Sequence, residues 1–306
     1  MAYYSGTAAS LSALKTALLT HAQSDGWTLT GDVLSKSGVY FQIQDNATNV
    51  TCLGCADNAV SAPAPNVVSI GRIFQKTGSP TREMSFPCNY EVFGFAQELY
   101  LVANYDVDSY QWLAFGKSTV LGLPGHGGWC GATIGAFQDS TQGDVVYISP
   151  TGGAASGYGF NMTCGALFWA AGSDAAADIV SRNCWTYHNL DGHGWTYYGL
   201  AANIPSGIKP LTPLISLQPN AWNSEVALLP LRSWKERPGY KNSMIADLQN
   251  ARHVRIDNLS SGDILTIGSD KWKIFPWYRK NASARDGGTQ INHTGTFGWA
   301  IRYEGP

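Results

Sequence analysis

Three short stretches carry the side chains that could do chemistry. Cys52-Leu53-Gly54-Cys55 sets two thiols at the spacing used by zinc sites and by thioredoxin-like redox centres. A structural zinc site wants a second such pair, or a pair with histidines close by. The other cysteines, Cys88, Cys130, Cys164 and Cys184, stand singly. A redox pair wants a parallel strand before it and a helix after it. Here a loop rich in Asp, Asn and Pro (residues 56–66) follows. Ordinary thiols, some of them buried, are the expected reading of Cys52 and Cys55. Disulfides formed after release into an oxidising medium, or a bound metal, are the alternatives.

The second stretch, Trp185-Thr186-Tyr187-His188-Asn189-Leu190-Asp191-Gly192-His193-Gly194-Trp195, places two histidines and a carboxylate close together. In extended chain Asp191 and His193 would share a side and His188 would face the other way. A metal or acid/base pair is one reading. A partner-facing loop of aromatic and polar groups in an irregular segment is the expected one. The third, Gly122-Leu123-Pro124-Gly125-His126-Gly127-Gly128-Trp129, has the glycines of an anion-binding loop without the spacing of one. It reads as a loop where backbone passes close to a neighbour, with Trp129 as anchor. The chain has no GxSxG, HExxH or GxxxxGK[ST] pattern. No catalytic, cofactor-binding or metal-binding residue is assigned, no cofactor is expected, and the chain reads as a non-enzyme.

Composition points the same way. Charged residues make up 14% of the 306, against about 25% in ordinary globular proteins. Aromatics reach 12% and glycine 34 residues. Low charge with many aromatics fits a β-rich protein, and also one whose surface is covered by neighbours. The net charge of −2 and the scatter of Lys and Arg argue against nucleic acid as a partner. Met1–Leu19 lacks a basic leader and Lys15 breaks its apolar run, so a soluble protein made in a cytoplasm is expected. Cys164–Gly172, the most apolar block, is too short to span a bilayer, and no membrane partner is expected. The Asn-x-Ser/Thr triplets at Asn46, Asn49, Asn161, Asn258, Asn281 and Asn292 are then chance.

The elements that must position these stretches are mostly strands. Leu11, Leu14, Leu18 and Ala22 fall on one face of a helix over residues 9–25, with Ser10 as cap and Gly26 as stop. Strands at 27–34 and 38–44 should follow, making a helix-plus-hairpin unit over residues 1–55. From 67 to 137 strands recur about every ten residues, the rhythm of antiparallel meanders. A central β-rich domain is expected over 56–202, with loop at 138–159, a short helix at 174–181 and irregular chain from 182. Pro205, Pro210, Pro213 and Pro219 suit a connector over 203–220. A C-terminal β portion (221–306) closes the chain, with a short helix near 243–250. In its strand 271–275, Trp272 and Ile274 share the face expected to be core, and Trp299 is expected to join them. The fold class expected is β-rich α+β, with antiparallel sheets and few short helices.

Three blocks carry a resemblance. They are Tyr90–Ser118 running on to Trp129-Cys130-Gly131-Ala132; Pro219–Arg232; and Ala251–Asp257 with Ile267–Trp277 and His293–Tyr303. With the N-terminal Tyr4-Ser5-Gly6-Thr7, helix and Gly26-Trp27, they resemble a family of virion structural proteins of tailed bacteriophages. The likeness runs from about Tyr3 to Tyr303 and is weakest at 138–160 and 185–218. It implies a non-enzymatic subunit of the tail, neck or baseplate, made in the bacterial host and working by assembly. Its expected partners are copies of itself and other virion proteins. Two rivals remain open at this point. One is a tail-tip or fibre-like module that binds a host-surface saccharide through exposed Trp and Tyr. The other is a cell-envelope hydrolase with carboxylates converging in a cleft.

Overall fold

The structure, a computed structural model, describes residues 1–64, 67–73, 82–133, 184–197, 226–239, 241–256, 258–277, 280 and 297–306. The expected loop at 138–159, helix at 174–181 and connector at 203–220 lie outside the described residues, as does Cys164. The fold is the β-rich α+β class read from the sequence: antiparallel sheets with, among the described residues, one α-helix.

A strand absent from the sequence reading comes first, β1 (Ala2–Ala8). The helix follows as α1 (Leu11–Ser24). Ser10 caps it, its Oγ accepting from the Ala13 N–H at 3.1 Å, and Leu14, Leu18 and Ala22 are buried. Next come β2 (Thr28–Thr30), β3 (Val33–Lys36), β4 (Val39–Asp45), β5 (Val50–Cys55) and β6 (Val68–Ile70), a five-stranded sheet in sequence order. The single strand expected over 27–34 is two. Gly31, at φ +62°, turns the chain between them. Arg72–Ile73 (β7) and Arg82–Glu83 (β8) form a small ribbon.

The largest sheet has seven strands. It contains β9 (Cys88–Gly94), β10 (Glu98–Asp106), β11 (Ser109–Lys117), β12 (Gly128–Ala132), β13 (Cys184–Tyr187) and β14 (Trp195–Tyr197), in that order, with β1 beside β9. The N-terminal strand thus opens the central sheet, and β6 carries the N-terminal sheet past Cys55. The expectation of irregular chain from 182 onward is corrected here. Residues 184–187 and 195–197 pair as a hairpin at the sheet's edge, with Trp185 opposite Tyr197 and Tyr187 opposite Trp195.

The C-terminal sheet has the order β15-β16-β19-β18-β17, from β15 (Leu229–Arg237), β16 (Lys241–Arg255), β17 (Ile264–Ile267), β18 (Asp270–Pro276) and β19 (Phe297–Arg302). The helix expected near 243–250 is instead the middle of β16. Met244, Ala246, Leu248 and Gln249 favour helix locally, but β16 is paired by β15 and then by β19, and Ile245, Ala246 and Leu248 are buried. Tertiary pairing overrides so weak a local preference.

One continuous core joins the three sheets. Its centre is aromatic: Trp277 stacks on Trp299 at 5.1 Å, and Trp112 lies 5.5 Å from Trp299. This corrects the expected grouping around Trp272. Phe275 stands opposite Trp299, so both face the main core. Trp272 and Ile274 face the other way, in a smaller cluster with Val254, Ile256 and Ala300. The sheet is covered on both faces because both alternating sets are apolar.

Candidate functional site

The three stretches singled out in the sequence meet in space. Tyr187 ends β13, Trp195 begins β14, and His126 sits in the loop between β11 and β12. The His126 ring stacks on Tyr187 at 4.3 Å, and Trp195 meets it edge-on at 5.7 Å. Backbone ties the same loops: Gly125 N–H donates to His188 O at 3.0 Å, and Gly127 N–H to Tyr187 O at 3.1 Å. Gly125 is needed because a Cβ there would press on Tyr187 and the His188 backbone. The CxxC joins through its glycine. A side chain at Gly54 would collide with the Trp195 ring. The motif's Gly makes room for an indole on β5; it does not shape a turn for a metal.

Two of the histidines, His126 and His188, are held by backbone with burial favouring their neutral form. His126 Nδ1 accepts from the Gly128 N–H at 2.9 Å, so the neutral ring carries its proton on Nε2. Burial lowers its pKa to about 4. His188 is fully buried, which corrects its placement in a partner-facing loop. Its Nδ1 accepts from the Leu190 N–H at 3.0 Å, so Nε2–H donates to Thr196 Oγ1 at 2.7 Å. Burial lowers its pKa to about 4, with the nearby Lys235 pushing in the same direction. Asp191 spends both carboxylate oxygens on Arg237, at 2.6 and 3.1 Å. His193 is exposed. His188, Asp191 and His193 are not grouped so as to hold a metal ion.

The thiols also lie in the core. All five described cysteines are buried. Cys52 and Cys55 are three apart on β5, so their side chains leave opposite faces and cannot close on one another. Burial pushes the Cys55 thiol up to about 11 and the Cys52 thiol well above its usual range. The Cys52 thiol hydrogen-bonds that of Cys130 from β12. Thiolate, the nucleophile and metal ligand, is disfavoured at Cys52 and Cys55. Among the described residues no three His, Cys, Asp or Glu side chains are grouped to hold a metal ion.

A second polar region, missed in the sequence, joins the central sheet to the C-terminal one. Glu98, only 2% exposed, receives Gln249 N–H at 2.9 Å, Asn250 N–H at 3.1 Å, Asn250 Nδ2 at 2.7 Å and Tyr100 OH at 2.9 Å. Burial raises its pKa, against the pull of those donors. Nearby, Lys273 reaches Glu91 at 2.5 Å and Tyr3 OH at 3.2 Å, beneath the Tyr3 and Tyr303 rings. The one hint in the sequence was a glutamate opening the otherwise apolar run Glu98-Leu99-Tyr100-Leu101-Val102.

No protein-family model matches the chain, and no curated protein matches it. Among the described residues no helix is long and apolar enough to cross a membrane. A cleft of about 330 Å³ lies at the start of α1, lined by Ser10, Ser12, Asp45, Asn46, Glu83 and Phe86 among others. Its Asp45 is already paired with Lys15 at 3.1 Å.

Proposed function

We propose that the chain is a non-enzymatic structural subunit that works by assembly. The tailed-phage virion is the particle that the sequence resemblance implies, at its tail, neck or baseplate. The observation that carries this reading is where the chemistry-bearing stretches go. The CxxC, the Gly-rich loop and the His/Asp loop interlock as one packing joint, with neutral imidazoles and protonated thiols. Such a joint stiffens a block; it does not turn over a substrate.

The aromatics need a revised role. Every Trp and Tyr whose side chain the structure describes is buried or half-buried. They build the block rather than its contacts, and among the described residues they form no solvent-facing aromatic ladder for a saccharide. Among the described residues the exposed large apolar side chains are others: Met1, Val67, Val107, Leu121, Ile264 and Ile267.

Sedimentation of the purified chain over a range of concentrations should show self-association, and electron microscopy of purified particles should place the chain in the map. A chain that stays monomeric and is missing from particles made in the same cells would overturn the proposal.

A further inference from the structure

The two edges of the C-terminal sheet are built differently. β15 carries Pro230, the buried Lys235, and the charged Arg232 and Arg237. Its register against β16 slips twice, between Pro230 and Arg232 and between Ser233 and Trp234. Proline, inward-pointing charge and bulges are the devices that stop a sheet edge from pairing with another chain. β17, at the opposite edge, is Ile264-Leu265-Thr266-Ile267, without charge or proline, and its register with β18 is unbroken. Ile264 and Ile267 are 46% and 49% exposed.

We propose that β17 pairs antiparallel with β17 of a second copy of this chain, about a two-fold axis at Leu265. This rests on the assembly reading above and names its surface. The backbone supplies the argument. Gly268 and Ser269 alone link Ile267 to its partner Asp270, so that pair closes the ladder with hydrogen bonds and bonded pairs alternate from there. Leu265 opposite Trp272 is the next bonded pair, and Asp263 the next, its C=O accepting from Ile274 N–H at 2.9 Å. Ile264 and Thr266 therefore turn their N–H and C=O groups away from β18.

A two-fold at Leu265 sets Ile264 against Thr266 of the second copy, and the reverse. Every outward N–H of the two residues then meets an outward C=O. Leu265 meets its own counterpart in the close, non-bonded position, on the face that carries Trp272. A slip by one residue would set opposite faces against each other and lose the match. Like charges stay apart. Lys271 lies three strand spacings, about 14 Å, from Lys273 of the second copy, beyond the screening length at physiological salt. So short a contact is weak alone, and repetition in a particle multiplies it.

Cysteine scanning in the full chain tests the register. Leu265→Cys should cross-link to a homodimer under mild oxidation about ten-fold faster than Ile267→Cys. Adding Thr266→Pro removes an outward N–H and no bond to β18, and should slow that cross-link by a similar factor. In the otherwise native chain, Thr266→Pro should also weaken self-association in sedimentation. Equal cross-linking at both positions, or none, overturns the edge pairing. If the native chain still self-associates in that case, assembly stands and uses another surface. If it is monomeric throughout, both readings fail.

Discussion

The histidine joint and the junction between the central and C-terminal sheets are both polar regions inside an apolar core, and they handle burial in opposite ways. In the joint, His126 and His188 are neutral, with each Nδ1 bonded to a backbone N–H. In the junction, Glu98 and Lys273 bring charge inside and surround it with donors, an opposite charge and aromatic faces. A neutral imidazole needs only geometry to be satisfied. A buried charge needs several partners, and removing one leaves the rest exposed to a large desolvation penalty. The joint should therefore be sensitive to shape and to acid, and the junction to the loss of particular side chains.

The aromatic core beneath both regions sets the upper limit. Trp299 touches Tyr100, Trp112 and Trp277. Trp299→Ala should destabilise by about 3–5 kcal/mol, as for other large aromatic losses from packed interiors. Trp272→Ala should fall below it, because Trp272 belongs to the smaller cluster and is 6% exposed. Urea denaturation of both variants orders them, and a larger loss at Trp272 would mean that the outer face of the sheet is the true core. Within the comparison itself, Glu98→Ala should be the most damaging change, at about 3 kcal/mol. It leaves two backbone N–H groups, the Asn250 amide and the Tyr100 hydroxyl without their acceptor.

The joint's first weakness is shape. Gly54→Val drives a branched side chain into the Trp195 ring, and overpacking of this kind costs about 1–3 kcal/mol. Cys55→Ser should do much less. If the serine variant were the worse of the two, the CxxC would matter for its thiols after all.

How far the sequence could be read follows from the same contrast. Alternation and turn residues are local, so the strands from 88 to 132 and helix α1 were legible. Where a segment's state is set by its neighbours, local reading failed. β16 looked helical because Met244, Ala246, Leu248 and Gln249 favour helix in isolation. The hairpin 184–197 looked irregular because its short strands are split by Asn189, Asp191 and Gly192, all at positive φ. Trp185, His188 and Trp195 were picked out correctly as a group, but for partners; they turned inward, because no sequence pattern says that Gly54 leaves a space on a distant strand. Glu98 was invisible for a related reason. Its donors come from residues 249 and 250, about 150 positions away, and only the fold brings them together.

The joint's second weakness is acid. His126 and His188 both have folded pKa values lowered to about 4 by burial, from an ordinary value near 6.5. A histidine depressed on folding adds stability that is complete above pH 6.5 and is lost as pH falls toward its folded value. Each should contribute a slope of up to about 1.4 kcal/mol per pH unit in that window. Glu98 acts in the opposite sense. Its raised pKa makes protonation favour the folded state, so its contribution is present in acid and fades as pH rises through the folded value. Unfolding free energy measured from pH 7 to 4 should fall, and His188→Gln should flatten the slope by about one proton. An unchanged slope would mean that His188 titrates normally and that its buried geometry is wrong.

The smallest effect should come from the junction's other charge. Lys273→Met keeps the aliphatic stem against Tyr3, Phe275 and Tyr303 and removes only the ammonium. What is lost is a partly solvated pair with Glu91 and its attraction to the rings. What remains is a Glu91 carboxylate that still receives Tyr3 OH at 2.8 Å. Pairs of this kind are worth about 1 kcal/mol or less, and salt weakens them. Burial opposes the lysine's charge, yet Glu91 and Tyr3 outweigh it and raise its pKa. Its contribution is therefore complete below the ordinary lysine pKa and is lost only as pH rises beyond it. Between pH 5 and 9 the variant should run parallel to the native chain, displaced by a small constant, while His188→Gln changes slope. A loss at Lys273 as large as that at Glu98 would show that the two sheets are held together by charge, and that the aromatic cage merely encloses it.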